Sequence, residues 1–195
     1  MKKNRHFLLD LVSCFLIPGY TLLFAGSIRW FSTNFSVIAV TGADHYRGFV
    51  YWGLLAGSYF LVMLIRLAWR LPQWPSRVGV LFLTVGAILS LGYAIAIPYL
   101  PAYFPKYAAL HVLLAALACV LLMAALLLCL LTFRRVDRRR WTPPLWAWLA
   151  IVGISALLFL IPQMVSTALE VFFTISATLL ARDLWLRCPT KGKEI

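Results

Sequence analysis

The stretch Tyr107–Leu131, YAALHVLLAALACVLLMAALLLCLL, carries no lysine, arginine or carboxylate. An α-helix rises about 1.5 Å per residue, so about 20 such residues cross a hydrocarbon layer roughly 30 Å thick. The run ends against Arg134-Arg135-Val136-Asp137-Arg138-Arg139-Arg140. Five cations in seven positions are too costly to follow the run into lipid. An apolar rod that stops at a basic block is the pattern of a transmembrane helix with its end pinned at the headgroups.

Five more stretches read the same way on either side. They are Phe7–Trp30, Gly48–Arg70 and Arg77–Tyr99 before the first, and Pro144–Ile161 and Thr167–Arg187 after it. In lipid every backbone N–H and C=O must be satisfied within the segment, so the spans are expected to be helices. No period-two alternation supports an outer-membrane barrel. The expected fold is all-α: one polytopic membrane domain over residues 1–195, a six-transmembrane-helix bundle with both termini inside.

Orientation follows from the cations. With the N-terminus inside, Lys2, Lys3, Arg5, Arg66, Arg70, Arg77, Arg134, Arg135, Arg138, Arg139, Arg140, Arg182, Arg187, Lys191 and Lys193 all fall inside. Only Arg29, Arg47 and Lys106 fall outside. Removing any one span would send later blocks to the wrong side, so the charge count also tests the span count. Trp and Tyr gather near the expected boundaries, where amphipathic rings prefer to sit.

Composition agrees. The 195 residues are 63% apolar and 12% charged, against about half and a quarter in a soluble domain. Disorder needs the opposite balance. The net charge of +12 is accounted for by the lipid bilayer, through anionic inner-leaflet lipids, so no nucleic acid is expected as partner. The expected location is a bacterial plasma (inner) membrane. The start, Met1-Lys2-Lys3-Asn4-Arg5, looks like a signal-peptide n-region, but Asp10 interrupts the apolar core, and an uncleaved first span is expected. Cys14, Cys119, Cys129 and Cys188 lack C-x-x-C spacing and read as free thiols or small fillers. Gly53 and Gly57 form a G-x-x-x-G pair, expected to pack helices within the chain, with a homodimer or a partner membrane subunit as the alternative use. Pro18-Gly19 is expected to kink the first span.

The first outer connection, Phe31 to Arg47, is long and contains Phe35-Ser36-Val37-Ile38-Ala39-Val40. It is too apolar for a solvated linker and is expected to fold back over the outer mouth. Ionisable groups near that mouth form the expected ligand-binding set: Glu170, His111, Arg47, Asp44 and His45. Glu170 lies about one turn into the last span and His111 about one turn into the fourth. Each has a plainer explanation. Thr167-Ala168-Leu169-Glu170 fits a capping box, His111 suits a cap on a neighbouring carbonyl or a pair with Glu170, Asp44 suits a turn, and Arg47 suits an interfacial anchor. Asp10 follows His6 by one helical turn and suits a helix N-terminus. No metal site and no cofactor are expected. His45 and His111 are outer and His6 is inner, so three histidines cannot meet, and no H-E-x-x-H, G-x-S-x-G or nucleotide motif occurs.

Three short stretches carry a resemblance: Ser32-Thr33-Asn34-Phe35-Ser36-Val37, Phe49-Val50-Tyr51-Trp52-Gly53 and Leu169-Glu170-Val171-Phe172-Phe173-Thr174. With the overall layout, they resemble small six-span bacterial integral membrane proteins similar to the Frag/DRAM type. The resemblance implies a six-helix membrane protein with a lipid-related role and transfers no catalytic residue. Size, span count and the long first outer loop also resemble the substrate-binding subunits of vitamin uptake systems. The leading expectation is a binding or transport-type component with a small polar or lipid ligand on the outer side, more a binder than an enzyme. The alternatives are a membrane-embedded enzyme on lipid or lipid-linked substrate, with Glu170 as general base beside His111 or His45, and a structural or assembly partner.

Overall fold

A computed structural model describes residues 6–26 and 29–188. Lys2, Lys3, Arg5, Lys191 and Lys193, used above for orientation, lie outside the described residues. Among those described, the chain is all helix and no strand occurs. The helices are α1 (Phe7–Ala25), α2 (Phe35–Ala39), α3 (Ala43–Ala68), α4 (Trp74–Ala96), α5 (Pro105–Val136), α6 (Arg138–Leu160) and α7 (Thr167–Arg187). Five of them, α1, α3, α4, α5 and α6, are long and apolar enough to cross a membrane, which marks the chain as a membrane protein.

The boundaries depart from the hydropathy reading by five or six residues in four places, one of them the end of α5, which runs past Leu131 through Arg134 and Arg135 to Val136. α1 stops at Gly26, whose φ of 58° lies in the left-handed region that favours glycine, so Trp30 belongs to the loop. α3 begins at Ala43, five residues before the apolar run, which shortens the first connection. α6 begins at Arg138, because the Asp137 side chain accepts from the Arg140 N–H at 3.0 Å and caps it. Pro143 and Pro144 therefore lie inside α6 rather than at its start. A proline at 144 cannot donate to the Arg140 carbonyl, and Arg187 Nη1 donates to that carbonyl instead, at 3.3 Å. In α1 the ladder widens to a π turn over Val12–Leu16, just before Pro18. The wider turn absorbs the donor that Pro18 lacks.

The helices pack as a closed ring in which α1, α3, α4, α5, α6 and α7 follow one another, with α7 also touching α1, α3 and α5. α7 is accordingly the most enclosed, with Val171, Thr174, Ala177, Thr178, Leu180, Ala181 and Leu184 all buried. It also carries Glu170, Arg182, Asp183 and Arg187, the last three partly exposed. Small residues set the closest approaches. A Cβ at Gly53 would collide with Ile95 on α4, and one at Gly57 would meet Leu91 at 3.3 Å. The G-x-x-x-G pair is therefore used within the chain. Gly153 on α6 faces open space and packs against nothing. All four cysteines are free thiols.

The bundle has two unlike ends. One gathers Arg66, Arg70, Arg77, the arginines at 134–140, Arg182 and Arg187. The other gathers α2, His111, Glu170, Asp44, His45 and Arg47. They are called here the arginine end and the α2 end.

Candidate functional site

The α2 end is built around a five-residue helix that would not form alone, since a helix this short closes too few bonds to offset nucleation. Three things hold it. Asn34 caps it, its Oδ1 accepting from the Val37 N–H at 2.8 Å. Phe35 is fully buried, edge-on to Phe24 and to Trp52 with ring centroids 5.0 Å away in each case. Phe24, Phe49, Trp52, Val171 and Ile175 complete a small core separate from the main one. The stretches 32–37, 49–53 and 169–174 thus meet at Phe35.

The third holder is polar. The Phe35 N–H has no partner within α2 and donates to Glu170 Oε2 at 2.6 Å. The adjacent Ser36 hydroxyl meets His111 Nε2 at 2.7 Å, in a buried contact. The other ring nitrogen, Nδ1, lies 2.8 Å from the Ile97 carbonyl. A carbonyl only accepts, so Nδ1 carries the proton. In the neutral ring Nε2 is then the acceptor and Ser36 the donor. Both nitrogens of His111 are occupied, so Glu170 is not its partner.

The N-terminus of α7 answers in kind. Its first N–H groups, orphaned as in any helix, are taken by the first connection: Thr167 N–H donates to the Thr33 carbonyl at 2.7 Å and Ala168 N–H to the Trp30 carbonyl at 2.9 Å. Thr167 Oγ1 also donates to the Thr33 carbonyl at 3.0 Å. Asn34 Nδ2 donates to the Val165 carbonyl at 3.3 Å. The expected capping box is replaced. The N-cap is Ser166, whose Oγ accepts from the Leu169 N–H. Glu170 does not fold back on its own helix but serves the first N–H of α2. Two helix N-termini, 135 residues apart in sequence, are cross-capped.

The five expected ligand-binding residues therefore fall into three places. Glu170 and His111 hold neighbouring residues of α2. His45 Nδ1 lies 2.6 Å from Thr41 Oγ1 on the exposed rim. Asp44 and Arg47 pair with each other at 3.4 Å, with side chains 95% and 72% exposed. Among the described residues these three places do not line a common cavity. A cavity of about 10 Å³, the size of one water, lies under α2 and is lined by Ser36, Tyr46, Tyr99 and His111 among apolar neighbours.

Sequence reading missed Ser36, which it had placed only in an apolar lid. It also missed a second polar group, towards the arginine end. Asp10 accepts from Arg182 Nε at 2.8 Å, with Nη2 of the same guanidinium 2.7 Å from the same oxygen. Asp10 does lie in the first turn of its helix, as expected, and it also bridges α1 and α7. Close by, the Tyr59 hydroxyl donates to the Thr178 carbonyl at 3.0 Å, and Ser13 is buried within the π turn. At the chain's last described residue, burial pushes the Cys188 thiol up to about 12, against the opposing pull of Arg70 and Arg140, so it is a poor nucleophile. Among the described residues no three His, Cys, Asp or Glu side chains come together as a metal site would need. The chain matches no family model, no curated protein and no solved structure.

Proposed function

We propose that this is a six-span protein of a bacterial inner membrane, with both termini cytoplasmic, acting as a binding or transport-type component whose outer site is closed by α2. The sixth span is α7. It has 21 residues, enough to cross, and its charged side chains are bonded, Glu170 to the Phe35 N–H, Arg182 to Asp10 and Asp183 to Arg187. The orientation is supported by the cations, which gather at the arginine end, and by the positive-inside rule. Kinship with the Frag/DRAM type belongs to the same proposal and rests on the three stretches that converge at Phe35.

One observation carries the binding reading. Adjacent residues of a short apolar helix are held by a carboxylate from α7 and an imidazole from α5. A permanent plug would need only apolar packing. Release of α2 would uncover Glu170, His111, the Ser36 hydroxyl and the Phe35 N–H together, a set of donors and acceptors suited to a small polar or amphiphilic ligand. The test is a reversible lock. Thr33 Oγ1 and Thr167 Oγ1 are 3.4 Å apart, so a Thr33→Cys/Thr167→Cys pair should oxidise to a disulfide across the closure. Native mass spectrometry of gently purified protein should then show a co-purified ligand that exchanges when the pair is reduced and is frozen when it is oxidised. Equal exchange in both states refutes the lid.

A second reading has its own observation. Ser36 and His111 at 2.7 Å, with Nδ1–H fixed by the Ile97 carbonyl, have the arrangement of a nucleophile and its base. This replaces Glu170 as the general base of the membrane-embedded enzyme alternative, since Glu170 is engaged with Phe35. In that reading Ser36 Oγ would attack an ester carbonyl, His111 Nε2 would take its proton, and the departing alcohol would carry the proton away. A fluorophosphonate probe should label Ser36 and fail on His111→Ala. No labelling of the wild-type chain removes this reading.

A further inference from the structure

At the arginine end, one residue separates two long helices. Asp137, with φ −141° and ψ 92°, is both the C-cap of α5 and the N-cap of α6. So tight a reversal brings the last turn of α5 against the first turn of α6. Arg134 and Arg135 from α5 and Arg138 from α6 surround an open cavity of about 350 Å³, with Leu131 as its apolar wall. The single local carboxylate, Asp137, caps the Arg140 N–H and is one negative charge among three lining arginines. Two other cations in this half of the bundle are matched: Arg182 pairs with Asp10 and Arg187 with Asp183. Among the described residues none of the three cavity arginines has an ion pair. Arg134 makes one long hydrogen bond, to Thr142 Oγ1 at 3.4 Å. Arg138 also sits where the α6 macrodipole is positive, which raises the cost of a cation there.

Three guanidiniums lining one cavity outnumber the single carboxylate beside them, and a bound anion would offset the excess charge. Guanidinium forks match the oxygens of phosphate two at a time. The height of the site selects the source of that phosphate. α5 has 32 residues and is about 48 Å long, so it outruns the roughly 30 Å hydrocarbon layer. Its basic end therefore stands among the headgroups while Leu131, 40% exposed, still borders the acyl region. We propose that Arg134, Arg135 and Arg138 form a discrete site for the phosphate of an anionic phospholipid. It rests on the orientation proposed above only for the leaflet it faces.

The test uses the full chain in nanodiscs of phosphatidylcholine with a minor fraction of phosphatidylglycerol, released into native mass spectrometry. One phosphatidylglycerol should stay bound at low occupancy of the minor lipid. The triple variant Arg134→Gln/Arg135→Gln/Arg138→Gln should weaken that retention about a hundredfold. Arg139→Gln, which removes a charge beside the cavity but not lining it, should weaken it by no more than about tenfold. Equal retention by the wild type and the triple variant overturns the site. So does displacement of the lipid by millimolar inorganic phosphate, which would make the ligand a free anion. Orientation is read separately, from labelling of Arg139→Cys by an impermeant maleimide added to intact cells. Labelling there would refute the cytoplasmic placement while leaving the lipid count to stand or fall alone.

Discussion

The two ends of this bundle use polar groups in opposite ways. At the α2 end they are spent on one another across helices, Glu170 on Phe35, Ser36 on His111, His111 on Ile97 and Thr167 on Thr33. At the arginine end a surplus of cations is left facing outward, and only some are matched. A cross-bonded mouth can be tight, because each bond gives a polar group a partner within the bundle. A basic rim cannot close on itself, because its charges repel, and it is suited instead to a surface of opposite sign. The difference shows that polar residues in a membrane chain need separating by what they are bonded to before any of them is read as a site.

The largest expected effect breaks the α2 end at its apolar pivot. Phe35→Ala should cost about 3–5 kcal/mol, because the ring is fully buried between Phe24 and Trp52. Thermal unfolding in detergent reads the loss, and Arg139→Gln at the other end should leave the midpoint where it was. Next comes the carboxylate. Glu170→Ala leaves the Phe35 N–H without an acceptor in a half-buried site, at a cost of about 1–3 kcal/mol. Glu170→Gln retains an oxygen acceptor and should recover most of that. If alanine and glutamine cost the same, the bond to Phe35 is not what holds α2. Below these lies the bridge between α1 and α7. Asp10→Asn should cost about 1 kcal/mol or less, since its side chain is 41% exposed and that of Arg182 28%, and partly solvated pairs contribute little. The loss should shrink further in high salt.

The membrane class of the chain and the rough places of its helices were legible in the sequence, because hydropathy and charge sorting act along the chain. Bonds between helices were not. Nothing local in Thr167-Ala168-Leu169-Glu170 says that its carboxylate serves a helix 135 residues earlier, and the capping box was the nearest local explanation. Two signals were legible and passed over. Asn34 before Phe35-Ser36-Val37 is an N-cap pattern that announces α2, and Asp137 before the arginines announces the start of α6 ahead of its prolines. Ser36 had no such signal. A serine in an apolar run gains meaning only when its neighbour across the bundle is known to be His111.

The smallest expected effect concerns the exposed rim. Asp44 and Arg47 are paired at 3.4 Å but lie in solvent, so Asp44→Ala and Arg47→Gln should each leave the unfolding midpoint unchanged. That silence makes the pair useful. Glu170 and His111 are both structural holders, so a loss of bound ligand on changing them is mixed with a loss of closure. Arg47 is free of that confusion. If the outer site takes an anionic or polar ligand, Arg47→Gln should lower its retention in native mass spectrometry with no thermal shift. Unchanged retention would confine the ligand contacts to the groups beneath α2, and the rim arginine would be left as an interfacial anchor for α3.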